Sequence, residues 1–183
     1  MVDEALIIAL IREGNVDAFG EIVDHYQALI VRYLYRLTGD FTVAQDLTQD
    51  TFFQAYRSLS DFNSHISFKA WLYRIATNNA RQFYRRKRRI SFIPFTDYGR
   101  EDILLDDTIP VTERVEQQIA IEESLLLVPY DQRKCLVLHF VEGFKYREIA
   151  QIEGISEEAV RKRVARGSQK FRKTYQEMPG SNG

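Results

Sequence analysis

FKYREIAQIEGISEEAVRKRVARGSQKFRK, residues 144–173, reads as a helix, a tight turn and a second, strongly basic helix. Ala150, Gly154 and Val160 stand at the offsets of a helix-turn-helix. That unit needs a small residue where the helices cross, a glycine in the turn and an aliphatic residue in the core of the second helix. Ser156 is the expected cap of that helix, and Glu157 and Glu158 suit its positive N-terminal end. Val160, Val164 and Phe171 are expected inward, with Arg161, Lys162, Arg163, Arg166, Lys170, Arg172 and Lys173 outward or flanking a duplex. Such a helix enters the major groove, where basic side chains reach phosphates and guanine edges. The competing reading is a solvated, charge-laced surface helix. The turn chemistry, and seven basic residues against two acids over 157–173, favour the duplex binder.

A second basic element lies upstream. Between Phe62 and Thr96 there are eight Lys or Arg and no Asp or Glu, although the whole chain has a net charge of -1. These cations share the stretch FKAWLYRIATNNARQFYRRKRR with two Phe, two Tyr, one Trp and two adjacent Asn. Cations that track phosphates, interleaved with rings that stack on unpaired bases, suit a single-stranded nucleic acid. Arg74, Asn78, Arg81 and Arg85 fall at helical spacing on one face, opposite Phe68, Leu72 and Ile75, with Trp71 and Tyr73 flanking the stripe. Trp71 is as well suited to the core as to base stacking. Asn78 and Asn79 are placed on the exposed side as base-edge readers, or are helix residues with no role. Residues 1–61 hold 4 Lys/Arg against 10 Asp/Glu, so an acidic half abuts the basic strip and two different partner surfaces are implied.

The remaining composition excludes more than it specifies. No window approaches the ~20 apolar residues of a membrane span, and the acidic N-terminus lacks a secretory signal's basic flank and cleavage site. One cysteine, Cys135, cannot form an internal disulfide; in CLVLHF it reads as a buried thiol in a reducing compartment, with the cytoplasm as default. His25, His65 and His139 are scattered singly, and no phosphate loop follows a strand signal. No catalytic residue, metal or cofactor is expected.

Helical periodicity runs nearly throughout. Residues 17–38 repeat apolar side chains at three- and four-residue steps, and Gly39 ends that helix. Thr42 with Gln45 is read as the capping box of the next helix, which carries Ala44, Leu47, Phe52 or Phe53, and Tyr56 inward and ends near Leu59. Ser67 caps a fourth helix running to about Arg89. Periodicity fails over residues 91–112, which carry Pro94, Pro110 and five acids, and resumes from Glu113 to about Gln176 with breaks near Pro129, Gly143 and Gly154. The expected fold is all-α: two small helical domains, residues 1–90 and 113–178, a flexible linker over 91–112 and a disordered tail over 179–183.

Taken in order, these elements resemble the bacterial extracytoplasmic-function sigma factors, over about residues 14–176. DAFGEIVDHYQALIVRYLYRLTGD is similar to the first helix of sigma region 2, and VAQDLTQDTFFQAYRSLSDF to the segment that docks on the clamp helices of the polymerase's largest subunit. FKAWLYRIATNNARQFYRRKRR resembles the part that melts and reads the −10 element. Residues 128–173 resemble region 4, which reads the −35 element as duplex and touches the polymerase flap. D-L-T-Q-D-x-F, W-L-Y-R-I-A-x-N and the helix-turn-helix, each correctly spaced, form a highly specific combination.

The resemblance implies a transcription initiation factor that is not an enzyme and carries no cofactor. Core RNA polymerase would bind Asp46, Leu47, Gln49, Asp50 and Phe53. The −10 element would be read by Lys69, Trp71, Arg74, Asn78, Asn79, Arg81, Arg85, Arg86 and Arg88, and a flipped base would sit by the loop Asp61 to Ser67. The −35 element would be read by Ser156, Glu158, Arg161, Lys162, Arg163, Arg166 and Lys170. An anti-sigma factor is a further expected partner, and the location is cytoplasmic, nucleoid-associated when active. The acidic linker would either thread the RNA exit path or serve as a tether. Three departures stand out. Gln82 replaces a common Asp, Val128-Pro129 replaces Leu-Pro, and Ala159-Val160-Arg161-Lys162-Arg163 replaces Thr-Val-Lys-Ser-Arg, which bears on −35 preference rather than fold. The rival readings are a stand-alone helix-turn-helix regulator and a sigma-like protein-binding decoy.

Overall fold

The computed structural model describes residues 4–13, 15, 17–59, 62, 65–90 and 113–178. The expected linker 91–112, the tail 179–183 and Asp61, Asn63 and Ser64 of the flipped-base loop lie outside the described residues. Eight α-helices follow in order: α1 Glu4–Arg12, α2 Ala18–Thr38, α3 Phe41–Ser58, α4 Phe68–Ile90, α5 Glu113–Leu126, α6 Tyr130–Leu136, α7 Tyr146–Glu153 and α8 Glu157–Gln176. The all-α expectation is met among these residues, and none of their helices is long and apolar enough to cross a membrane.

The punctuation follows local chemistry. Gly39 ends α2 at φ 73°, its N–H donating to Tyr35 O at 2.8 Å. This left-handed conformation strains residues with a Cβ. Asp40, at φ −131°, caps α3 by accepting from Val43 N at 2.9 Å. The expected Thr42 capping box is therefore corrected: Asp40 is a strong cap, and α3 starts at Phe41, so Thr42 lies inside the first turn. Ser67 caps α4 through Ala70 N at 3.2 Å, and Ser156 caps α8 through Ala159 N at 3.2 Å, as expected. Gly154, at φ 67°, makes the turn between α7 and α8. After α6 the chain widens into one π-helical turn, Val137–Val141, which leaves Phe140 and Val141 exposed.

The helices α1–α4 enclose Ile22, Ile30, Tyr33, Leu34, Leu37, Ala55, Leu59 and Leu72, while α6–α8 enclose Leu138, Ile149, Ile152, Val160 and Val164. Each such aliphatic side chain stabilises by about 1.5–3 kcal/mol when fully withdrawn from water. The two groups are continuous in one buried cluster. Tyr73 of α4 meets Phe144 edge-on with centroids 5.1 Å apart, Tyr84 meets Tyr130 at 4.2 Å, and Leu126 lies over the bare Cα of Gly39. Tyr73, expected at the margin of the apolar stripe, is fully buried for this reason. On α3, Phe52 turns inward and Phe53 outward; Tyr56, expected inward, is 42% exposed. It sits near the edge of α3's buried face, against the ring of Phe19 at 5.2 Å.

Cys135 is buried as expected, and burial pushes its thiol pKa up to about 11. Burial likewise raises Tyr33, Tyr73 and Tyr130. Each of these acids holds its proton longer folded than unfolded, so the stability it contributes is complete below its unfolded pKa and is lost as pH rises through the folded one. Alkaline titration is therefore expected to unfold the chain progressively from about pH 9 upward. Native protein at pH 7.5 should leave Cys135 unmodified by iodoacetamide, and fast alkylation without unfolding would contradict this packing.

Candidate nucleic-acid and polymerase interface

The second helix of the helix-turn-helix turns Val160 and Val164 inward, fully or nearly buried. This leaves Ser156, Glu158, Arg161, Lys162, Arg166 and Lys170 on the exposed side, while Phe171 is half-buried and stacked on Tyr175. Glu158 pairs with Lys162 at 2.6 Å, and Glu157 with Arg161 at 3.7 Å, both one turn apart on solvent-facing sites. Exposed pairs of this kind contribute little to stability and release their cations readily to a phosphate. Arg163 differs: it is half-buried and points back to Glu153 at 3.7 Å.

On α4 the basic face is divided. Arg74, Arg85 and Arg86 are exposed; the Arg88 side chain lies outside the described residues. Trp71 is half-buried against Phe62 and Phe68, with centroids at 5.1 and 5.4 Å. Asn78 is half-buried and accepts from Arg81 Nη1 at 3.3 Å. Asn79 corrects the expectation of two exposed amides, being only 5% exposed. Its Oδ1 accepts from Gln54 Nε2 at 3.0 Å, and its Nδ2 donates to Thr51 Oγ1 at 3.2 Å. One residue of helix advances the side chain by about 100°, enough to turn Asn79 from the surface into the α3–α4 contact.

Asp46, Gln49, Asp50 and Phe53 fall at i, i+3, i+4 and i+7 on α3 and form one exposed face, with Phe53 62% exposed. Leu47 is 7% exposed and belongs to the core, which meets its expected inward orientation but removes it from the exposed face on which a polymerase contact would lie. Phe53 carries the outward apolar contact, with Arg57 over its ring at 5.6 Å. Among the described residues there is no cluster of His, Cys, Asp and Glu that holds a metal.

A second charged centre was not legible beforehand. Glu153, at the end of α7, is fully buried, and its Oε2 receives Lys134 Nζ at 2.6 Å, Arg81 Nη2 at 3.1 Å and Arg163 at 3.7 Å. At the other end of the contact, Glu142 accepts from the Tyr73 hydroxyl through its carboxylate and from Lys69 Nζ through its backbone O at 2.8 Å. The Lys69 ammonium also sits 4.7 Å from the Phe144 ring centre. The only sequence signal was a lysine, Lys134, beside an apolar run; Glu153 itself reads as a surface acid before a turn.

Two family models match this chain in order: Sigma-70 region 2 over residues 22–90 and Sigma-70 region 4 over residues 118–171. They cover the α2–α4 group and most of the α5–α8 group, which defines the class as a two-region sigma-70 protein. The ECF RNA polymerase sigma factor SigW of Bacillus subtilis is 30% identical over 179 residues, 93% of this chain and 96% of the relative. The chain belongs to the ECF family of RNA polymerase sigma factors. Among solved structures, CnrH in complex with the cytosolic domain of CnrY matches with a TM-score of 0.70 at 24% identity, over 95% of this chain and 97% of that one. RpoE in complex with the anti-sigma factor NepR from Bartonella quintana matches with a TM-score of 0.66 at 22% identity, over 88% and 98%. Both likenesses concern the fold.

Proposed function

We propose that this chain is a transcription initiation factor that binds core RNA polymerase and directs it to promoters, with α3 docking on the enzyme, α4 opening and reading the −10 element and α8 reading the −35 element as duplex. The observation that carries this reading is the exposed face Asp46, Gln49, Asp50 and Phe53 on α3, beside the basic helix α4 and ahead of a helix-turn-helix, in one family-matched chain. An acidic face with one apolar anchor suits a basic-rimmed coiled coil on the polymerase, since charge steers and orients while the buried ring supplies most of the affinity. The nucleotidyl transfer belongs to the polymerase.

Arg74, Arg85 and Arg86 are exposed and free to follow single-strand phosphates, which position the strand without reading it. Lys69 and Arg81 join them once released from the other helical unit. Flipping a base out of the stack costs a few kcal/mol, offset by pocket and stacking contacts near Trp71. On the −35 side, Arg161, Lys162, Arg166 and Lys170 face the groove. A protein of the anti-sigma class is a further partner, and the site of action is the cytoplasm, at the nucleoid during initiation.

The test is co-elution of the purified chain with bacterial core RNA polymerase on gel filtration, without DNA. A stoichiometric complex is expected, and Asp50→Arg, at an exposed position on α3, should abolish it while leaving the circular dichroism spectrum unchanged. A chain that never co-elutes but binds duplex DNA tightly as a dimer would be a stand-alone regulator instead.

A further inference from the structure

We infer that Asn79 is a positioning residue for base reading by α4: its buried amide fixes the roll of α4 against α3, and so sets where the outward side chains of α4 meet a single strand. The inference rests on the promoter-reading function proposed above.

The amide is satisfied entirely from α3. Asn79 Oδ1 accepts from Gln54 Nε2 at 3.0 Å, and its Nδ2 donates to Thr51 Oγ1 at 3.2 Å. The Thr51 hydroxyl donates in turn to Leu47 O at 2.6 Å, one turn back along α3. Thr51 is fully buried and Asn79 is 5% exposed, so water is a poor substitute for a lost partner. Gln54 is exposed, one turn beyond Asp50 and beside Phe53. The bonds therefore run from the rim of the outward face of α3, through Asn79, into the backbone of α3.

Apolar packing alone would set the roll loosely. Asn79 is flanked on α4 by Ala76 and Ala80, and Thr51 on α3 by Thr48 and Ala55, all buried. Side chains this small bring helices close but interlock weakly. Hydrogen bonds with fixed donor and acceptor ends admit far fewer arrangements, which is how a satisfied buried polar network specifies one packing.

The outward side of α4 makes that roll matter. Asn78 follows Asn79 directly, and Trp71 and Arg74 precede Asn78 by two turns and one turn. A roll of about 20° carries a side-chain tip about 2 Å, for a helix about 10–12 Å across. Recognition of a base edge requires placement to within about 0.5 Å. Attraction of Arg74, Arg85 and Arg86 to phosphates is electrostatic and independent of sequence, and their flexible stems follow such a shift. Loss of the Asn79 bonds should therefore erase base selection while sparing general strand affinity.

The test is selection from a random-sequence single-stranded DNA pool by the complex of this chain with core RNA polymerase. Oligothymidylate of about 12 nucleotides measures general strand affinity, and circular dichroism confirms folding. Thr51→Val keeps the shape of a side chain buried away from solvent, and removes the acceptor of Asn79 Nδ2 and the donor to Leu47 O. The unaltered complex should enrich one motif. Thr51→Val and Asn79→Leu should each lower that enrichment by about tenfold, the worth of one base contact. Both should still co-elute with core polymerase and bind oligothymidylate within about twofold of the unaltered complex. Gln54→Ala, at an exposed site that tolerates the change, should lower enrichment in the same direction, and it decides the matter if neither buried variant folds. Unchanged enrichment in the folded variants overturns the inference. A parallel fall in enrichment and oligothymidylate affinity overturns it too, because Asn79 would then be structural support alone. The proposed function survives either result. Co-elution of the unaltered chain without any enriched motif would instead count against α4 as the −10 reader, and the inference would fall with it.

Discussion

Glu153→Gln is expected to lower the unfolding free energy by about 3–5 kcal/mol, the cost of breaking a buried ion pair by removing one partner. Lys134 is 1% exposed and would have at best a neutral amide oxygen in place of the carboxylate it meets at 2.6 Å. Its remaining partner, Asp131 at 3.2 Å, is 67% exposed and lies toward solvent, which places the expected loss at the lower end of that range. Lys134→Met should be milder than Glu153→Gln, because Glu153 keeps Arg81 at 3.1 Å and Arg163 at 3.7 Å. Combining the two substitutions should recover part of the Glu153→Gln loss, since no lysine is then left without its carboxylate. Urea unfolding with unchanged slope reads all three variants. A loss below about 1 kcal/mol for Glu153→Gln would mean that the pair is hydrated rather than buried.

Leu72→Ala should cost about 2–5 kcal/mol, the range for truncating a buried leucine. Leu72 is fully buried on the inner face of α4, in the same cluster as Leu34 and Leu37. Two residues further on, Arg74→Ala should change stability by no more than about 0.5 kcal/mol, because the side chain is exposed. It should instead weaken single-strand binding and reduce its salt dependence by about one phosphate contact. The pair separates the two faces of one helix, which carry structure and recognition respectively. Equal destabilisation by both, or full single-strand affinity in Arg74→Ala, would dissolve that division.

Much of the fold was legible because its signals are local. Gly39, Ser67, Gly154 and Ser156 act through groups a few residues away, so their chemistry is visible in the chain. Val160 and Val164 point inward because the helical period places them on one stripe. The misreadings arose where two local readings were equally good. Asp40 and Thr42 both resemble caps, and the stronger one won two residues earlier. Tyr56 fits the apolar period of α3 and lies at its edge. Asn78 and Asn79 are adjacent in sequence, and only the angle at which α3 crosses α4 sends Asn79 to Thr51 and Gln54. Leu47, expected both inward and as a polymerase contact, is settled by its burial in the core.

By itself the sequence determined the helices, their caps and turns, the two basic elements and the acidic face of α3, since all of these depend on residue type and on separations of a few residues. Family membership belongs to the same level, carried by motifs in register along the chain. Tertiary structure alone decided which cations are free. Lys69 and Arg81 look like Arg74 and Arg166 in sequence, yet the fold brings Lys69 to Glu142, 73 residues away, and Arg81 to Glu153, 72 residues away. Coulombic and hydrogen-bond partners are set by distance through space, and no periodicity along the chain records a contact between helices so far apart.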